Sequence, residues 1–182
     1  MRRLYIYALM NHGRWSRIVE NVSPLSVPED ENTPPDTLTS PASLFPLASL
    51  FFHVSENSKT KEKGCGATLS LLGKEVWSVS MFIDPTFNKN QVEYKILLMG
   101  LQEARDRNVL HLIVKSDCLV VLFQMKGQYH VYDPLLWPLF QACKGIELAF
   151  QKTEYVFIHK EDNLRAIRLA KVGRQLPQLS AK

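Results

Sequence analysis

The run "VLHLIVKSD" at residues 109–117 does most to limit what this chain can fold into. It has the length of one strand, is almost continuously apolar and ends in an acid. Such a strand is expected inside a sheet with both faces covered, which requires helices on either side. The neighbouring segments supply the rest of the pattern. "SLFFHVS", "CGATLSLLG" and "EVWSVSMFI" read as three successive strands, the last two joined by a hairpin at Gly73-Lys74. Residues 91–107 place Val92, Ile96, Met99 and Leu101 at helical spacing. A short helix is expected over 118–126, and another opens at Asp133-Pro134, with Pro134 suited to a first turn. "TEYVFIHK" is a fifth strand, and residues 161–173 form a closing helix. The order β-β-β-α-β-α-α-β-α implies an α/β fold: a mixed five-stranded sheet flanked by helices.

Six of the ten prolines fall between Pro24 and Pro46, mixed with Ser, Thr and the acidic "PEDEN". That stretch is expected to be a linker over 23–45. It separates a basic leader, 1–22, from a folded domain at 46–174 and a tail at 175–182. The leader carries Arg2, Arg3, Arg14 and Arg17 with no acid before Glu20. This suits an organelle transit peptide, a mitochondrial one included, although Ser enrichment is missing. The alternative is an unstructured leader without an address, in a cytoplasmic or nuclear protein. No apolar run approaches the roughly 18 residues that would cross a bilayer. Cys65, Cys118 and Cys143 are odd in number and widely spaced, as expected of reduced intracellular thiols. The formal charge of +4 divides unevenly: residues 1–43 sum to −1, with four Arg against five acids, and residues 44–182 to +5, with 18 Lys and Arg against 13 acids. A polyanionic partner is mildly favoured.

Four stretches, "GCGATL", "NQVEYKILLMGLQEA", "LIVKSDCLVVLFQMKGQYHVYDP" and "EDNLRAIRLAK", resemble, in order and spacing, the ribonuclease H domain of plant gypsy-type retrotransposon polyproteins and related plant proteins. The resemblance spans about residues 50–173. It implies a ribonuclease H-like fold. It also implies cleavage of RNA in RNA–DNA hybrids by two divalent ions held side by side, one activating water and one stabilising the leaving oxygen. Two such ions about 4 Å apart repel by roughly 17 kcal/mol even at an effective dielectric of about 20. Four carboxylates offset that repulsion in the family.

Two of the four are retained by this resemblance: Glu93 in the first helix and Asp117 at the end of the fourth strand. The first-strand Asp falls on His53, and the Gly after it on Val54. The last-helix Asp, in the family pattern N-x-x-A-D-x-L-A, falls on Ile167. A His that assists product release falls on Phe157. Glu56 and Glu62 lie beyond the first strand, and Asp162 is more than one helical turn from position 167. None of them is expected to substitute. Hydrolysis is therefore expected to be lost, no cofactor to be required, and Glu93 with Asp117 to hold at most one weakly bound Mg or Mn. A single-metal site made of His53, Glu93 and Asp117 is the alternative.

Asn90 and Gln124 match family positions that sense nucleic acid, and helix capping is their other reading. Lys59, Lys61 and Lys63 crowd the first hairpin loop; Arg165, Arg168, Lys171 and Arg174 recur every third residue in the last helix. These could follow a phosphate backbone or form a solvated surface. No aromatics interleave the basic residues, which argues against single-strand binding. Trp77, Trp137 and Phe140 read as core. Three functions stay open: a degenerate domain binding RNA–DNA hybrid or duplex RNA, a protein-interaction or self-associating module, and a residual metal-dependent ribonuclease.

Overall fold

A computed structural model describes residues 4–10, 14–19 and 47–179, with side chains described for residues 47–176. The linker expected over 23–45 lies outside the described residues. The elements are β1 (Leu4–Met10), β2 (Arg14–Val19), β3 (Leu47–Glu56), β4 (Lys63–Leu71), β5 (Lys74–Ile83), α1 (Lys89–Asp106), β6 (His111–Ser116), α2 (Leu119–Met125), α3 (Trp137–Glu147), β7 (Lys152–Phe157), a 3-10 turn (Lys160–Asp162) and α4 (Leu164–Leu179). The sheet order is β2-β1-β5-β4-β3-β6-β7. Strands β3 to β7 form the five-stranded mixed sheet expected from the sequence. β3–β4 and β4–β5 are antiparallel, while β6 runs parallel to both β3 and β7. Two strands within the basic leader extend this sheet at its β5 edge. β1 runs parallel to β5, with Leu4 opposite Ser78, and β2 runs antiparallel to β1.

Local chemistry accounts for the element boundaries. Asn88 accepts from the Gln91 backbone N–H at 2.8 Å, and the Gln91 side chain accepts from the Asn88 N–H at 2.9 Å, a reciprocal cap that starts α1. The cap therefore falls on Asn88 and not on Asn90. The β4–β5 turn is made by Leu72 at φ +49 and Gly73 at φ +78, one residue earlier than Gly73-Lys74. Two left-handed residues in a row suit the right-handed twist of the flanking strands. Pro134 lies in a turn whose Leu135 N–H is held by the Asp133 side chain at 2.9 Å; α3 starts later, with Pro138 in its first turn. α4 continues to Leu179, past the boundary expected at 174.

The two faces of the sheet are packed differently. On one, Leu50, Phe52 and Val54 of β3 are buried with Ile96, Leu97 and Leu101 of α1, and α3 packs against α1. On the other, α4 lies across β3, β4 and β5. A Cβ on Gly64 would come within 2.2 Å of the Ala170 carbonyl oxygen and the Arg174 nitrogen, so only glycine permits this approach. α4 makes little contact with β6. Hence Leu112, Val114 and Ser116 are buried while His111, Ile113 and Lys115 are half-buried, and β6 is fully covered on one face rather than both.

Candidate functional site

The site forms where β6 ends and β3 runs on past it. The last β3–β6 pair is Phe52 with Ser116, so His53 stands beside Asp117, the first residue after the strand. The His53 Nδ1–H donates to Asp117 Oδ1 at 2.8 Å. The same oxygen accepts from Asn163 Nδ2 at 2.7 Å. Asn163 also donates to the Phe52 carbonyl at 3.0 Å, and this fixes the amide between the 3-10 turn and α4. Its own Oδ1 is buried without a partner among the described residues. Burial pushes Asp117 up, but the bonds from His53 and Asn163, with the field of the imidazole, outweigh it. The Asp117 carboxyl is held below the ordinary carboxylate range.

Glu93 arrives from α1 and is almost wholly buried. The Cys118 thiol donates to Glu93 Oε2, and Lys89 Nζ stands 3.6 Å from Oε1, one helical turn away. Burial raises the Glu93 carboxyl above its usual range, against the pull of Cys118, Lys89 and His53. Cys118 is pushed up as well, by burial and then by the Glu93 charge, so it remains a thiol and is not an activated nucleophile. Adjacent residues thus face two ways: Asp117 toward His53 and Asn163, Cys118 toward Glu93.

The structure brings His53, Glu93 and Asp117 into one neighbourhood. Each carboxylate already has protein donors, however, and among the described residues no group of three His, Cys, Asp or Glu is arranged to hold a metal ion. The donor set offers two carboxylates and one imidazole hydrogen-bonded to one of them, which does not fit a pair of divalent ions. Ile167 is half-buried in α4, its backbone N–H bonded to the Asn163 carbonyl at 3.0 Å. Val54, at the position where the resemblance places a Gly, is buried in the α1-side core. Glu56 ends β3 rather than lying beyond it, and it faces Lys61 at 3.6 Å. Asp162 is exposed on the 3-10 turn.

The residues assigned to nucleic acid separate into two sets. Lys59, Lys61 and Arg168 are exposed, and Asn90 is partly so. The C-terminal half of α4 crosses Gly64 at the base of the Lys59–Lys61 loop, so Lys171 and Arg174 lie at the same end of the molecule; Arg174 reaches Ser55 at 3.2 Å. Lys63 is different: it is buried, and its Nζ donates to the Lys61 and Pro85 carbonyls at 3.2 and 3.1 Å, which replace its water. Arg165 is engaged by Glu75 through two bonds of 2.9 Å. Gln124 is buried, accepting from the Tyr94 hydroxyl at 2.9 Å and donating to the His130 carbonyl at 3.2 Å. Lys63 and Gln124 therefore cannot touch a ligand directly. Trp77 is core as expected, but Trp137 is 47% exposed.

Asn163 and Cys118 were not identified as site residues from the sequence. Asn163 opens the "NLRA" stretch that carried the pattern of the last helix, and this was the signal available.

The reverse transcriptase-like family profile matches residues 55–173, which takes in Glu93, Asp117 and Asn163 and begins two residues after His53. Among curated proteins, none matches the sequence significantly. Solved structures do. The N-terminal RNase H domain of a Mycobacterium tuberculosis protein is 22% identical, with a TM-score of 0.68 over 75% of this chain and 99% of that one. RNase H1 of the halophilic archaeon Halobacterium salinarum is 22% identical, with a TM-score of 0.63 over 70% and 96%. LC11-RNase H1, isolated from compost and solved in complex with an RNA/DNA hybrid, is 21% identical, with a TM-score of 0.65 over 72% and 99%. The β3–β7 sheet with its helices is thus a ribonuclease H-like fold, and the chain belongs to the reverse transcriptase-like family.

Proposed function

We propose that this chain is a catalytically degenerate ribonuclease H-like protein of transposon origin. On this reading it binds an RNA–DNA hybrid or duplex RNA without cleaving it. One observation carries it: the Nδ1–H of His53 is bonded to Asp117, the carboxylate that would otherwise face a metal. A histidine here removes one anion and occupies a second. With Ile167 in the last helix, two carboxylates face a metal pair whose mutual repulsion is roughly 17 kcal/mol at an effective dielectric of about 20. Exposed Lys59, Lys61, Arg168 and Lys171 supply the attraction for phosphates.

The test is a binding and cleavage assay of the full chain on RNA–DNA hybrid and duplex RNA, with magnesium and with manganese. Binding that weakens steeply with salt, with substrate left intact, is the expected result. Metal-dependent cleavage abolished by Glu93→Gln would instead identify a residual ribonuclease. If only the ligands were lost, His53→Asp together with Ile167→Asp restores hydrolysis.

A second reading, a protein-interaction module delivered to an organelle by its basic leader, draws support from the apolar rim of the site. Leu119, Phe157 and Leu164 are each about half exposed, beside Asp117, Ser116 and Asn163 respectively. A stable co-purifying protein with no salt-sensitive affinity for nucleic acid would favour it.

A further inference from the structure

Trp137 was expected to be core, and it instead belongs to an exposed aromatic patch at the α2–α3 loop. Three aromatic rings stand out from it or from the first turn of α3: Tyr129 at 46% exposure, Tyr132 at 85% and Trp137 at 47%. Two of these are backed by other rings. Tyr129 stacks on Phe123 at 5.1 Å and 24° between planes, and Trp137 lies on Phe140 at 5.5 Å and 31°. Phe140 in turn meets Tyr94 of α1 edge-on at 6.5 Å.

The loop backbone is held as well. Gly127 takes φ +73, and the Gln128 and Tyr129 N–H groups both return to the Phe123 carbonyl, at 2.9 and 3.1 Å. From beneath, the buried chain Tyr94 hydroxyl–Gln124–His130 carbonyl fixes the centre of the loop to the core. This gives Gln124 a role: it cannot reach a ligand, but it holds the backbone between Tyr129 and Tyr132.

Exposed apolar surface that is rigid and aromatic is suited to stacking, since ordering it on binding costs little further entropy. Lys126 adds a cation 5.3 Å from the Phe123 ring centroid, and His130 packs beside Tyr132 at 5.7 Å. The surrounding domain is positive: residues 47–179 hold 17 Lys and Arg against 13 Asp and Glu, a net +4. Flat rings with a cation, on a positive domain, match the π faces and phosphates of unpaired nucleotides better than an aliphatic protein surface.

We propose that residues 126–137 form a base-stacking platform that binds single-stranded nucleotides flanking a duplex. This rests on the nucleic-acid reading above and adds unpaired nucleotides to the ligand.

The experiment compares a labelled blunt RNA–DNA hybrid with the same hybrid bearing a short single-stranded tail, titrated with the full chain by fluorescence anisotropy. The tail should tighten binding about tenfold. The double variant Tyr132→Ala, Trp137→Ala should lose that gain while keeping the blunt-hybrid affinity and its salt dependence. Tail binding should also quench tryptophan emission in the wild type, and much less in Trp137→Leu. A tail that gives no gain, or a gain that survives the double variant, overturns the proposal. So does a double variant that loses self-association while its nucleic-acid affinities stay unchanged, since the patch is then a protein interface. Absence of binding even to the blunt hybrid defeats the underlying reading, and the blunt arm separates that result from failure of the platform alone.

Discussion

The two faces of the sheet solve the same packing problem by opposite means. Under α1, volume fills the space: Leu50, Phe52, Tyr94, Ile96, Leu97 and Leu101 are buried completely. Under α4, volume is removed, and helix backbone meets strand backbone across Gly64 and Gly66. The site inherits the contrast, because His53, Asn163 and Asp117 gather on the α4 side while Glu93 and Cys118 approach from α1. One face should therefore be sensitive to truncation and the other to enlargement, and the two acids should respond to pH with opposite signs.

The largest effect expected is on the filled face. Leu50→Ala should lose about 2–5 kcal/mol in urea denaturation, through lost transfer energy and the cavity left behind. A loss well under 1 kcal/mol would mean that this core is loosely packed. The sharper comparison is a pair of identical substitutions. Gly64→Ala drives a Cβ against the Ala170 and Arg174 backbone at 2.2 Å and should cost about 1–3 kcal/mol or more. Gly100→Ala, in α1, would place its Cβ nearest to the Leu50 side chain, at 2.5 Å, rather than to backbone. There the better helix propensity of alanine, worth about 1 kcal/mol, offsets much of the strain. Equal losses at the two positions would break the distinction between the faces.

Within the site, Asn163→Ala removes a donor from Asp117 and from the Phe52 carbonyl, and should cost about 1–3 kcal/mol. It should also move the acid limb of the stability profile to higher pH, because Asp117 loses one of the bonds that hold its carboxyl low. The smallest effects are the pH dependences themselves. The Asp117 carboxyl is lower in the folded state, so its contribution is present above the ordinary Asp value of about 3.9 and is lost as pH falls through the folded value. The Glu93 carboxyl is raised, so its penalty is absent below the ordinary Glu value of about 4.3 and grows as pH rises through the folded value. Glu93→Gln should flatten the neutral side of a pH series of thermal melts, and Asp117→Asn the acid side. If both variants flatten the same limb, the two carboxylates are not in opposed environments.

Much of this was legible from local pattern. The hairpin strands, α1 and the run ending at Asp117 could be read because alternation, helical spacing and continuous apolar character are local properties of the chain. Glu93 and Asp117 could be placed together through the family resemblance. Lys63 and Gln124 could not be read: each is polar in a polar-looking context, and only the folded chain turns Lys63 toward two carbonyls and Gln124 beneath a loop. Trp137 failed the other way, since a tryptophan in an apolar stretch reads as core until its neighbours leave it half open. β6 showed the limit of periodicity, because an apolar run states what a strand tolerates and not which helix lies over it.

The sequence by itself determined the order of strands and helices from β3 to α4, but not the two strands β1 and β2 that precede them. That order follows from side-chain type and spacing along one chain. Only the tertiary structure decided that His53 would bond to Asp117, that Asn163 would complete that contact, and that three aromatic rings would stand outside the core. The first two depend on residues far apart in the chain meeting within hydrogen-bonding distance, and the third on how the core leaves the α2–α3 loop uncovered. Such distances are set by how helices seat on the sheet, which no local pattern encodes.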